Sequence, residues 1–331
     1  MKLYYNKFNP KLFVNNLILV IIAYSVSFVF NSTSNLFRNY GNNWTGLCEK
    51  GNKQSPVNIV EGLNTEEDYL TKLYIDYKFS QESFGKRFYY DGERMYLESK
   101  LGTTTINYKS IDKEVTEVYT VEKIDIKLPS EHYITITGFT PRYALEMQII
   151  HRLESSNDSV HTNREGEIKY LSLNILFELS NLDNSFFRNM GVRNDNTNIN
   201  KSYNLIQKGE KMNFSKIIDG AKQPEINNES LAALNSLLRE DGSAFMYFGS
   251  ETLPPCSEDT IHVVFKKPRS ISYKQFDYLK YQMVKKLDNS SYDNTVTSRY
   301  DIYGIKRDIK YYDLNVRSLI KFLPDGVEII N

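Results

Sequence analysis

The sequence predicts a mainly β fold with a few short α-helices. Three observations carry this. Apolar and polar residues alternate in several short runs, the period-two pattern of strands that bury one face. Aromatic residues are abundant, with 25 Tyr and 18 Phe among 331 residues, and they favour strands and an aromatic core. Helical spacing, by contrast, is clear only over stretches such as 229–240 and 275–287. The length allows one large domain or two small ones. A 40% hydrophobic and 25% charged composition is that of a folded globular chain. The formal net charge is zero, so composition argues for no nucleic-acid partner. Two cysteines, Cys48 and Cys256, exclude a cysteine metal cluster and leave room for one long-range disulfide in an oxidising compartment.

In chain order, Lys2, Lys7 and Lys11 precede an uncharged run from Leu17 to Phe30. That run is short of the ~20 residues a membrane span needs and fits a signal-peptide core. Residues 1–30 are therefore read as a signal peptide, with an uncleaved signal anchor as the alternative. The expected localisation is the secretory pathway, secreted or in an organelle lumen, with membrane attachment only if the segment stays uncleaved. Asn-x-Ser/Thr sequons at Asn31, Asn43, Asn157, Asn200, Asn213, Asn228 and Asn289 are candidate N-glycosylation sites and fit that route. Residues 31–39 are a polar leader. From Tyr40, an aromatic loop, Cys48 and a proline turn lead into a short apolar strand.

Short strands with turns follow over 70–121. Leu73, Ile75, Tyr77 and Phe79 alternate with Tyr74, Asp76 and Lys78, Asp91-Gly92 is a turn signal, and Thr103 to Tyr108 is rich in Thr. Ile124, Ile126 and Leu128 then alternate with Lys123, Asp125 and Lys127; Leu145, Met147 and Ile149 alternate with Glu146 and Gln148. Residues two apart in a strand share a face, so Asp125, Lys127 and Gln148 converge if these two strands are neighbours. Tyr170 to Leu179 is a fully buried type of strand. Residues 180–229, rich in Asn, Asp, Lys and Ser, read as a surface insertion with a short helix. In 229–240, Leu231, Leu234 and Leu238 mark one helix face. A basic cluster at Lys266, Lys267 and Arg269 could meet an anionic glycan or be a solvated face. Residues 323–331 are a C-terminal tail, and no internal repeat divides the chain.

Three blocks of these residues resemble the alpha-class carbonic anhydrases. The family entry segment carries Tyr, Trp and Q-S-P-I-N-I; here Tyr40, Trp44, Cys48, Gly51, Gln54, Ser55, Pro56, Asn58 and Ile59 agree with it. Pro129, Ser130, Glu131 and His132 match a P-S-E-H element, and Arg142, Tyr143, Glu146 and His151 match R-Y-x-x-E-x-H-x-x-H. Tyr247, Gly249, Ser250, Thr252, Pro254, Pro255, Cys256, Glu258 and Val264 match the third block, and Asn315 to Arg317 the closing segment. The resemblance implies an alpha-carbonic anhydrase-like fold over 40–322, a large twisted and mostly antiparallel sheet with short helices. It also implies a Cys48–Cys256 disulfide.

The same resemblance marks what has changed. The family's three zinc-binding histidines stand where this chain has Asp125, Lys127 and Gln148. Its proton-shuttle histidine stands at Glu93, a poor match to exchange near neutral pH at an ordinary carboxylate pKa. Glu251 replaces an apolar pocket residue, Leu253 a pocket Thr, and His262 a core Trp. Glu131 and Thr252, which orient the zinc hydroxide in the family, are retained. A protonated Lys has no lone pair for zinc and repels it. The expected arrangement is a self-satisfied plug: Lys127 bridges Asp125 and Glu131, and Gln148 fills a remaining hydrogen bond. His132, His151, His161 and His262 are read as satisfied core or surface groups. No metal, no cofactor and no intact catalytic set are then expected. The reading is a carbonic anhydrase-related pseudoenzyme that binds a protein or glycan. The alternative is an active zinc carbonate dehydratase with displaced ligands, drawing on Asp125, Gln148 and Glu93 or Glu251.

Overall fold

The computed structural model describes residues 44–60, 65–67, 71–78, 89–90, 95–110, 113–135, 143–156, 168–192, 228–240, 242–284, 319–322 and 327–329. All of them belong to one compact unit, Phe37–Asn331. Residues 1–30, with the expected signal segment, and Glu93, Arg142 and His161 lie outside the described residues, as do all the sequons except Asn228.

The architecture is one curled mixed sheet. Its spine is the pair β7 (Lys113–Lys127) and β9 (Leu145–Ser156), the two runs of alternating residues singled out above. They are antiparallel neighbours, with Asp125 opposite Gln148 and Lys127 opposite Glu146. On the far side of β7 come β6 (Gly102–Ser110), β3 (Lys72–Tyr77) and β15 (Val327–Ile329). The small ribbon β4 (Tyr89–Tyr90) and β5 (Met95–Glu98) joins β7 through β5. On the far side of β9 come β10 (Tyr170–Ser180), β12 (Thr260–Phe265), β11 (Ala244–Gly249), β14 (Leu319–Phe322) and β2 (Thr65–Glu67). The far half of β10 pairs with β13 (Arg269–Ser272). A separate parallel pair joins β1 (Asn58–Val60) to β8 (Tyr133–Thr135).

Antiparallel ladders form the β3–β6–β7–β9–β10 run, as expected. The β10–β12, β10–β13, β14–β2 and β15–β3 ladders are parallel. A parallel pair needs a long crossover, and the chain between β10 and β12 is long enough to supply one. The burial of β3 follows its sequence: Leu73, Ile75 and Tyr77 are buried and the residues between them are not. β10 is buried on both faces over Leu171 to Phe177, which explains its continuous apolar run.

Four helices are described: α1 (Leu47–Lys50), α2 (Ser185–Asn189), α3 (Asn228–Arg239) and α4 (Tyr273–Val284). α3 packs its leucines inward as the spacing predicts, with Leu231, Leu234 and Leu238 all buried. α4 begins two residues before the predicted start, because Gln275 accepts from Ser272 N–H and its own N–H is held by Ser272 Oγ. The segment read as a surface insertion is corrected at its start. Phe186, Phe187, Met190 and Val192 sit in the main core, and the Asn184 side chain caps α2 by accepting from Phe186 and Phe187 N–H. The polar surroundings hid two phenylalanines that only burial can satisfy. The C-terminal tail also carries structure, since β15 lies within it and pairs with β3.

Candidate functional site

Four segments converge on the site. β7 presents Lys123, Asp125 and Lys127 on one face, β9 presents Glu146 and Gln148, and the loops 128–132 and 250–259 close over its floor. The loops are anchored by side chains. Gln54 Nε2 donates to Cys256 O and to Glu258 Oε1, and Ser250 Oγ holds Ser55 N–H at 2.9 Å. The Cys48–Cys256 disulfide joins the entry segment to the 250–259 loop across 208 residues. The pairing implied by the resemblance is therefore formed.

Glu146 is the keystone of the floor. Its carboxylate accepts from Glu131 N–H at 2.8 Å, His132 N–H at 2.8 Å, His132 Nδ1 at 2.7 Å and Gln148 Nε2 at 2.8 Å. Complete burial pushes its pKa up, but His132 and these donors outweigh burial and hold it at about 2. From His132 the network continues: Tyr247 OH lies 2.6 Å from Nε2 and 3.0 Å from Ser55 Oγ.

His262 fills the family's Trp position by stacking flat on Tyr247, at 5.0 Å between ring centroids and 11° between planes. Its Nε2 donates to Ser250 O at 2.8 Å, and Asn174 Nδ2 lies 3.3 Å from Nδ1. The stacked ring is satisfied on both nitrogens, as a core His should be. His151 is likewise enclosed. Nδ1 donates to Leu171 O at 3.0 Å, and Nε2 accepts from Tyr77 OH at 2.6 Å and Thr104 Oγ1 at 2.9 Å. Burial pulls its pKa down to about 4, so the ring is neutral near pH 7.

Lys127 lies inside this frame, 2% exposed. Its Nζ is 3.7 Å from Glu131 Oε2 and 3.5 Å from Thr252 Oγ1. The structure corrects one part of the expected plug. Asp125 is paired with Lys123, at 3.5 Å, and not with Lys127. The reason is position: Lys127 ends β7, where the chain turns and brings Glu131 within one side-chain length. Lys123 reaches Asp125 along the shared strand face. Asp125 Oδ1 is buried without a hydrogen-bond partner. Gln148 Nε2 donates to Glu146 and, at 3.3 Å, to Glu131. Sequence reasoning brought Asp125, Lys127, Gln148, Glu131 and Thr252 together correctly. It missed Lys123 as the partner of Asp125, although the alternation already placed the two on one face.

A cleft of about 990 Å³ is lined by Lys123 of β7 and Glu251 of the 250–259 loop, together with Glu98, Glu122, Ile150 and Arg152. Arg152 lies 3.8 Å from Glu122 and its guanidinium sits over the Tyr170 ring. Glu251 is shifted upward by burial first, then by Asp259, Asp125 and Glu122, with Lys123 opposing. Among the described residues, no three His, Cys, Asp or Glu side chains lie close enough to hold a metal ion. The proposed basic patch is corrected too. Arg269 is buried, donating to Leu237 O at 2.9 Å and Lys267 O at 2.8 Å, so it belongs to the core that holds α3 and not to a surface cluster. No helix among the described residues is long and apolar enough to cross a membrane.

Fold and site together define a carbonic anhydrase-type domain. Residues 39–300 match the family model for eukaryotic-type carbonic anhydrase, and the chain belongs to that family. A carbonic anhydrase of Klebsiella pneumoniae is 25% identical over 228 residues, covering 69% of this chain and 71% of that protein. Dioscorin DB3L of Dioscorea polystachya is 24% identical over 247 residues, covering 72% of each. Among solved structures, a halotolerant carbonic anhydrase from Dunaliella salina shares the fold with a TM-score of 0.54 at 18% identity, over 88% of this chain and 98% of that one.

Proposed function

We propose that this chain is a secreted or lumenal carbonic anhydrase-related protein that binds a protein or glycan and does not hydrate CO₂. The observation that carries this reading is Lys127, whose Nζ stands 3.5 Å from Thr252 Oγ1 and 3.7 Å from Glu131 Oε2. Active members of the family use zinc, and the residues here do not fit it. A catalytic zinc needs three good donors and one open position. An ammonium offers no lone pair. Gln148 has its amide nitrogen committed to Glu146 and Glu131, which leaves one weak oxygen donor. Asp125 is a single carboxylate already paired with Lys123. The disulfide supports an oxidising compartment. Matching relatives include both carbonic anhydrases and dioscorins, so family membership by itself does not assign hydration.

A second reading, a carbonate dehydratase with displaced ligands, draws on the unpartnered Asp125 Oδ1 and on Glu251 near it. Metal content separates the two. Mature protein purified without chelator should carry less than about a tenth of a zinc ion per chain and should not accelerate CO₂ hydration. Close to one zinc per chain with measurable hydration would replace the binding role with the enzyme.

A further inference from the structure

One wall of the cleft is a polar row set by strand register. Thr120 of β7 stands opposite Arg152 of β9, and Arg152 stands opposite Tyr170 of β10. Directly paired residues share a sheet face, and all three line the cleft. At a strand spacing of about 4.8 Å the row spans roughly 10 Å. Arg152 Nη2 donates to Tyr170 OH at 3.3 Å with the guanidinium 5.8 Å from the ring centroid, and its Nε faces Glu122 Oε1 at 3.8 Å. Thr120 Oγ1 donates to Glu154 Oε2. The Arg152 side chain is 63% exposed and that of Glu122 44%, so a fork of five N–H donors meets solvent beside a carboxylate with further acceptor capacity. The charges nearly cancel: Glu98, Glu122, Glu154 and Glu251 line the cleft with Lys100, Lys123 and Arg152, four acids against three bases.

We propose that this cleft binds a neutral oligosaccharide laid along the row Thr120, Arg152 and Tyr170. This narrows the binding role proposed above to a glycan, and rests on it. A sugar hydroxyl both accepts and donates, so it can take a guanidinium N–H from Arg152 and give its own hydrogen to the Glu122 or Glu154 carboxylate. Hydrogen bonds to charged groups are the stronger kind. An anion would meet four acids in the same walls and a cation three bases, so a charged ligand of either sign gains little from the field of the cleft. Ile150 and Leu153, both half-buried, add apolar surface for the C–H faces of sugar rings. A volume of about 990 Å³ has room for several rings.

Titration calorimetry of the full chain with chitopentaose and with maltopentaose, at neutral pH and physiological salt, tests the site, with a heparin octasaccharide as the anionic control. At least one neutral sugar should bind, and Arg152→Ala should weaken it about tenfold or more. Lys267→Ala removes an exposed cation outside the cleft walls and should leave binding unchanged. Equal loss in both variants would overturn the site, and so would heparin binding more tightly than either neutral sugar. Zinc content and CO₂ hydration measured on the same sample separate the two levels of inference. Metal-free, inactive protein that ignores both neutral sugars overturns the glycan cleft and leaves the pseudoenzyme reading standing. Zinc-loaded protein that hydrates CO₂ overturns both.

Discussion

Replacing Lys127 with Ala is the sharpest probe of the blocked floor. Lys127 is 2% exposed and Glu131 is fully buried, so the change removes the cation beside a carboxylate held away from water, which keeps the Gln148 amide as a donor. Breaking a buried pair from one side typically costs about 3–5 kcal/mol. The Nζ–Oε2 separation of 3.7 Å is long for an ion pair, which places the electrostatic part near the lower end. Loss of the buried stem adds about 0.8 kcal/mol per methylene. With three methylenes lost beyond Cβ, the total is about 5 kcal/mol, large for a single substitution. For a domain of this size each kcal/mol moves the melting temperature by about 2–4 °C, so thermal melts under non-reducing conditions should fall by roughly 10 °C or more. Lys127→Met keeps the stem and should show about 3 kcal/mol of the loss. Adding Glu131→Gln to Lys127→Met should recover part of it, since the buried charge is then gone. A Lys127→Ala melting curve that overlays the wild type would refute the buried pair and with it the reason for excluding zinc.

Two further outcomes follow from buried groups. His151 titrates at about 4 in the folded chain against 6.5 when unperturbed, because burial disfavours the charged ring. The unfolded chain therefore binds its proton first as pH falls, and stability should drop between about pH 6.5 and pH 4 by about 3 kcal/mol. Glu146, held at about 2 against 4.5, extends the loss to lower pH. Urea midpoints measured across this range check it, and a flat profile from pH 7 to pH 4 would contradict the enclosed neutral ring. Arg269→Met should destabilise the fold by about 1–3 kcal/mol, because Leu237 O and Lys267 O lose their buried donor. The same variant should leave retention on a heparin column unchanged, whereas a surface role for Arg269 would reduce it.

Much of this protein was legible in the sequence because its signals are local. Alternation in β3, β7 and β9 follows from the two-residue repeat of a strand, and the leucine face of α3 follows from helical spacing. The motif blocks placed Asp125, Lys127, Gln148, Glu131 and Thr252 at one site and paired Cys48 with Cys256. What the sequence could not fix was partner choice among like neighbours. Three residues share one face of β7, and whether Asp125 meets Lys123 or Lys127 depends on where the strand ends and which loop returns beside it. The burial of Arg269 and Phe187 was likewise invisible, because both sit in polar local sequence and are covered by elements distant in the chain. The electrostatic setting of Glu251 is decided at the same level. Its neighbours Asp259, Asp125 and Glu122 come from three separate segments, and only the folded sheet sets their charges against one another.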